Sequence, residues 1–154
     1  MRNRQLWGGV LIAAVLAFAS TPVRAGISDP TPVGYKSVWV VPGVINNGNN
    51  GSAFICTAHQ STTLGVEVFN AAGGAAVGSA LGLALAAGQT ATVMTQTLPN
   101  LSGATDLFIG TSFQGSARIM TIDGKVSCSA YVLHVSSNNA FSLPVVKAKG
   151  QKGQ

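Results

Sequence analysis

The stretch SARIMTIDGKVSCSAYVLH, residues 116–134, alternates apolar and polar side chains on both sides of Asp123-Gly124. This pattern constrains the chain more than any other, because residues of period two can bury one face of a strand but not one stripe of a helix. Asp-Gly between two alternating runs also predicts a two-residue hairpin, since both turn positions must accept positive φ. That hairpin sets Ile122 opposite Lys125, Thr121 opposite Val126, Met120 opposite Ser127, Ile119 opposite Cys128 and Arg118 opposite Ser129. Ala117, Ile119, Thr121, Val126, Cys128 and Ala130 then share an apolar core face. Arg118, Ser127, Ser129 and Tyr131 share the other.

The same grammar runs along the chain. KSVWVV (36–41) is dense in β-formers and ends at Pro42-Gly43, and INNGNNGS (45–52) reads as an Asn/Gly loop. AFICTAH and TLGVEVFN follow as strands, the second carrying Leu64, Val66 and Val68 on one side and Glu67 on the other. In AAGGAAVGSALGLALAAG (71–88), Gly74, Gly78 and Gly82 recur every four residues, the spacing of a membrane-helix dimer face. Against a helix, each glycine costs about 1 kcal/mol, and Leu81, Leu83 and Leu85 recur at period two. The segment is read as a loop to residue 79 and a strand thereafter. A turn at Ala87-Gly88, the strands TDLFIG, SARIMTI and KVSCSAYVLHV, and an edge strand FSLPVV limited by Pro144 complete the body. The pattern predicts an all-β fold, a single antiparallel β-sandwich of about seven to nine strands.

Compartment is read from the amino end. Arg2 and Arg4 precede the apolar run Leu6–Ala19, and STPVRA places Val23 and Ala25 before a cut at Gly26. This is the layout of a cleaved Sec signal peptide over residues 1–25. The run is shorter than the roughly 20 residues that span a bilayer, so no stable membrane span is expected after cleavage. Residues 26–35 read as an extended leader, 36–146 as the β-sandwich domain and 147–154 as a disordered basic tail. The net charge of +5 sits at the two ends. Arg2, Arg4 and Arg24 leave with the signal, and Lys147, Lys149 and Lys152 lie in the tail. The body balances Lys36, Arg118 and Lys125 against Glu67, Asp106 and Asp123, with Asp29 in the leader, so no nucleic-acid partner is expected. A periplasmic or secreted location follows from the signal.

The two cysteines, Cys56 and Cys128, each have a histidine downstream. On a strand Cys56 and His59 point to opposite faces, and Cys128 and His134 lie roughly 20 Å apart. Neither pair can chelate one metal or work as nucleophile and base. An even cysteine count in an exported chain predicts one intramolecular disulfide, Cys56–Cys128, in the core between facing sheets. No metal, cofactor or copper site is expected, although His59 and His134 with Met94 or Met120 are the residues such a site would use. His134 is expected to hydrogen-bond a backbone carbonyl. Among the acids only Glu67 and Asp106 are free for acid–base work, and no nucleophile elbow or phosphate-binding spacing occurs. The chain is therefore not expected to be an enzyme. What remains is surface: Arg118 and Tyr131, with Trp39 and Phe69 nearby, are a candidate binding patch, but the preferred reading pairs Arg118 with Glu67 and has Tyr131 cover sheet edges.

At FICTAHQSTTLGVEVF, LALAAGQTATVMT and GSARIMTIDGKVSCSAYVL the chain resembles a group of small exported bacterial proteins. The shared elements are a cysteine on an early strand, the turn Gly88-Gln89-Thr90, and a Gly-x-Ala-Arg-Ile strand leading to a Cys-x-Ala strand. The resemblance implies an immunoglobulin-like sandwich and no substrate. The expected function is a non-catalytic binding or structural module of the bacterial envelope, a monomer engaging a protein or glycan through one sheet face. The alternative is a subunit of a surface fibre or adhesin, although neither terminus supplies the alternating extension that strand donation needs. A small periplasmic enzyme or copper-binding protein ranks third.

Overall fold

The computed structural model describes residues 27, 30–99, 101–137 and 139–148. The expected signal peptide and the tail from residue 149 lie outside the described residues. Ten strands form, and no helix is found among the described residues: β1 (Lys36–Asn46), β2 (Asn50–Ala58), β3 (Thr62–Asn70), β4 (Ala76–Leu85), β5 (Thr90–Met94), β6 (Thr105–Asp106), β7 (Phe113–Thr121), β8 (Val126–His134), β9 (Ala140–Leu143) and β10 (Val146–Lys147). All pairings are antiparallel except β5–β6.

The ladder falls into two halves. In the first the order is β4–β3–β7–β1–β10, and in the second β6–β5–β2–β8–β9. They stay hydrogen-bonded at one corner through the single partner pair Asn46↔Gly51. Asn46 pins that corner: its buried Nδ2 donates to the carbonyls of Thr95 (3.1 Å), Ile109 (2.8 Å) and Gly110 (3.4 Å). Between the halves lies one core. Val41, Val44, Leu64, Val66, Val68, Ala117 and Ile119 come from the first half, and Phe54, Cys56, Ala58, Val93, Val126 and Ala130 from the second. Leu107 and Ile109 add a plug. Burying each large apolar side chain stabilises by about 1.5–3 kcal/mol, so this interface holds the halves together.

Several sequence expectations change. The Asp123-Gly124 hairpin does not form. β7 is flanked by β1 and β3, and β8 by β2 and β9, so the turn carries the chain from one half to the other. Gly124 has φ 90° but Asp123 does not share that region, whereas a two-residue hairpin turn of this composition needs both. The faces survive because parity does: Ala117, Ile119, Thr121, Val126 and Ala130 are buried, and Cys128 packs against the core. They reach it from opposite sides, not side by side.

Pro42-Gly43 does not end the first strand, because a bulge between Pro42 and Val44 absorbs the extra residue and β1 runs on to Asn46. β4 begins at Ala76, three residues before the expected loop end at 79. TDLFIG contributes only the two residues of β6 before Leu107 and Ile109 turn into the core. Lys147, assigned to the tail, instead pairs with Trp39.

The disulfide forms between Cys56 and Cys128. It does not join facing sheets. The two residues are direct partners on neighbouring strands β2 and β8, with Cα atoms 4.2 Å apart, close to the roughly 4.5 Å of a non-hydrogen-bonded antiparallel pair. It ties residues 72 apart in sequence, and by loop-closure entropy stabilises by about 4 kcal/mol.

Candidate functional site

Each half has an outer face, and the two are built from opposite chemistry. On the first half, Arg118 of β7 stands directly opposite Glu67 of β3. Arg118 Nε donates to Glu67 Oε2 at 3.1 Å and Nη2 donates to the same oxygen. The guanidinium lies over the Phe69 ring, with Cζ 5.0 Å from its centroid. The leader closes over the top. Arg118 Nη2 donates to the Pro30 carbonyl at 3.2 Å and Nη1 to Thr31 Oγ1 at 3.4 Å. Tyr35 is seated by the Gly82 N–H, which donates to its hydroxyl at 2.7 Å. Gly65 makes room for this ring: a Cβ there would lie 2.9 Å from both Tyr35 and Leu81. Arg118 is left 3 % exposed, Glu67 5 % and Phe69 1 %.

Arg118 and Tyr131 therefore do not form one patch. Arg118 points out of the first half beneath the leader, whereas Tyr131 is half-buried on β8 of the second half. The expected hairpin had put them on one surface; the crossover puts them on opposite sides of the molecule. Phe69 lies under Arg118, and Trp39 packs against the core.

The outer face of the second half is open at its Thr57 end and covered by the Leu98 loop at Ala53 and Met94. Thr57 on β2 has Thr90 of β5 as partner on one side and Ser127 of β8 on the other. The next outward row is Thr92, Ile55 and Ser129, and the next Met94, Ala53 and Tyr131, continued on β9 by Ser142. Rows are about 7 Å apart along the strands and neighbours about 4.8 Å apart across them. Thr57 Oγ1 and Thr90 Oγ1 hydrogen-bond at 2.8 Å, and Ser127 Oγ meets His59 Nε2 at 2.7 Å. No Asp, Glu, Lys or Arg occurs on β2, β5, β8 or β9.

Two depressions lie on this half, one of them lined by Tyr131. A groove of about 240 Å³ is lined by residues that include Ser129, Tyr131, Ser142 and Leu143. An apolar cleft of about 180 Å³ lies between the loop bearing Leu98, Pro99 and Leu101 and the end of β8 at Leu133, His134 and Val135. Leu98 also packs on Ala53 and Met94 in a small second core that covers this end of the face. His134 Nδ1 lies 3.3 Å from the Ser136 N–H, which donates to it; the expected partner was a carbonyl.

The carboxylates that could serve acid–base chemistry are both engaged and lie in different halves. Glu67 holds Arg118. Asp106 accepts from Thr97 Oγ1 and from the Phe108 N–H, each at 2.7 Å, and so fixes the loop. Among the described residues no cluster of three or more His, Cys, Asp or Glu could hold a metal ion. Met94 lies on the outward side of β5 beneath Leu98, and Met120 lies beneath the leader.

Alternation alone placed Ser127, Ser129 and Tyr131 on one outward face. It missed Thr57, Thr90 and Thr92, because their membership depends on which strands flank β2, and that information is tertiary. Compared with family models, curated proteins and solved structures, the chain matches none.

Proposed function

We propose that the chain is a non-catalytic, exported binding module that presents the β5–β2–β8–β9 face to its ligand in the bacterial envelope. The observation that carries this reading is the asymmetry of the two outer faces. One is closed by a buried ion pair and the leader, and the other carries exposed hydroxyls, has no charged residue on β2, β5, β8 or β9, and has half-buried Tyr131 beside the end that the Leu98 loop covers. Export is supported by the amino-terminal apolar run with its small-residue cleavage site, and by the disulfide, which persists in oxidising compartments. The resemblance to small exported proteins supports the same compartment.

The test is co-sedimentation of the purified protein with native envelope fractions. Retention is expected for the wild type and for Ser79→Lys, a substitution on an exposed position of β4 in the other half. Thr57→Lys with Ser129→Lys, which plants two charges on the open face, is expected to abolish it. Equal retention of all three proteins sinks the reading.

A fibre subunit is the second reading. The outer edge of β4 favours it, being ten residues at the rim of the ladder without a charge or proline to discourage pairing. Size-exclusion chromatography separates the two: a monodisperse monomer supports the binding module, and concentration-dependent polymers support the fibre.

A further inference from the structure

We propose that the ligand of the open face is a neutral polysaccharide, laid across the hydroxyl rows with one sugar ring stacked on Tyr131. This inference rests on the binding-module reading and narrows it to a ligand class.

Charge makes the first selection. The four strands of this face carry no Asp, Glu, Lys or Arg, and the carboxylate at their margin, Asp106 on β6, is held by Thr97 and the Phe108 N–H. An anionic or cationic ligand would shed water on docking and find no countercharge, which costs free energy without return. Nucleic acid fails on the same ground, since its affinity comes from Lys and Arg on phosphates. A neutral ligand is the one whose charge matches.

Composition makes the second. Protein interfaces draw their energy from buried Trp, Tyr and Arg anchors, whereas Ser and Thr are poor in hot spots. Here the exposed groups are Thr90, Ser127, Ser129 and Ser142, with Thr57 and Thr92 half-exposed and a single aromatic. A hydroxyl both donates and accepts, so a row of them can meet the hydroxyls of a sugar in either sense. The rows are also regular. In the row Thr90–Thr57–Ser127 the hydroxyl-bearing strands stand about 4.8 Å apart, of the order of one pyranose ring, so successive sugars of an extended chain meet successive strands there.

Tyr131 supplies what hydroxyls cannot. A sugar ring has an apolar C–H face, and a half-exposed aromatic ring offers matching apolar area with a polar tip. Tyr131 lies in the row that continues to Ser142, and Ser129 precedes it on the same face. A groove of about 240 Å³, lined by these three together with Cys128, Ala130, Leu143 and Val145 from the core side, opens beside the ring. The Thr57–Thr90 bond at 2.8 Å preorders two of the hydroxyls before any ligand arrives.

The experiment is retention of the purified protein on insoluble cellulose, chitin, starch and β-1,3-glucan, with alginate as an anionic comparison and with the envelope assay run in parallel. The expected result is retention on at least one neutral polysaccharide, unchanged in 0.5 M sodium chloride and competed by its soluble oligosaccharides. Tyr131→Ala is expected to weaken it about tenfold or more, Tyr131→Phe to preserve most of it, and Ser129→Lys to abolish it. Ser79→Lys should leave it intact. Thermal melts of each variant exclude unfolding as the cause, and Ser129→Lys, at an exposed position, keeps the test open if Tyr131→Ala fails to fold. Retention on envelopes without retention on any neutral polysaccharide overturns the ligand class and leaves the binding module standing. Retention on neither overturns both. Binding to alginate alone and lost in salt, or polysaccharide binding untouched by Tyr131→Ala and Ser129→Lys, also overturns the proposal.

Discussion

The two outer faces of this molecule solve the same problem in opposite ways. A sheet that covers a core on one side must do something with the other. The β3–β7 face hides it: Arg118, Glu67, Phe69 and Met120 are all buried, sealed by Pro30, Thr31 and Tyr35. The β2–β8 face buries one end, at Ala53 and Met94, under the Leu98 loop and leaves the rest in water, where it carries hydroxyls and no charges. A buried charge needs its partner, whereas a solvated hydroxyl is indifferent to substitution. The closed face should therefore be sensitive for stability and the open face sensitive only for binding.

The largest effect that can break this contrast is Arg118→Ala. It leaves the Glu67 carboxylate buried without its guanidinium, and removing one member of a buried pair costs about 3–5 kcal/mol. Urea denaturation is expected to show that loss, and Glu67→Gln added to the same chain should restore part of it. A cost below about 1 kcal/mol would mean that the ion pair is not what closes the face. Next in size is Gly65→Val, which places carbon where the Tyr35 ring and Leu81 already sit. Overpacking of this kind costs about 1–3 kcal/mol. It should also lift the leader, read as faster hydrogen exchange at the Gly82 amide, and unchanged protection there would show that the leader is not fastened at Tyr35. The smallest effect belongs to the open face. Thr92→Val removes a hydroxyl from a half-exposed position on a strand and should change stability by no more than about 0.5 kcal/mol, measured by the same denaturation. A loss comparable to that of Arg118→Ala would end the contrast.

What was legible in the sequence follows the same division. Strand alternation identified which side of β7 and β8 faces the core, and it is correct from Ala117 to Ala130. It could not say which strands lie side by side. Asp123-Gly124 looked like a hairpin because that dipeptide suits one, but both edges of β7 were already taken by β1 and β3. Global pairing overrode a local preference worth far less than a full ladder of hydrogen bonds. The candidate patch failed with the hairpin, since a wrong neighbour moved Arg118 to the wrong side. The pairing of Arg118 with Glu67, weighed as its competitor, is the arrangement that forms. The hydroxyl rows were half visible: Ser127, Ser129 and Tyr131 are two residues apart on one strand, but Thr57, Thr90 and Thr92 join them only through the ladder.

The sequence by itself determined that this chain is β-structured, which residues of β2, β3, β7 and β8 turn inward, and that its two cysteines bond. Those properties are set within a few residues by side-chain size, polarity and period, with the disulfide expected from the even cysteine count. Only the tertiary structure decided that the cysteines are neighbours within one half, that Arg118 is sealed beneath the leader, and that six hydroxyls and a tyrosine share one surface. Neighbourhood between strands depends on which pairings together bury the most apolar area, and that is a property of the whole chain at once.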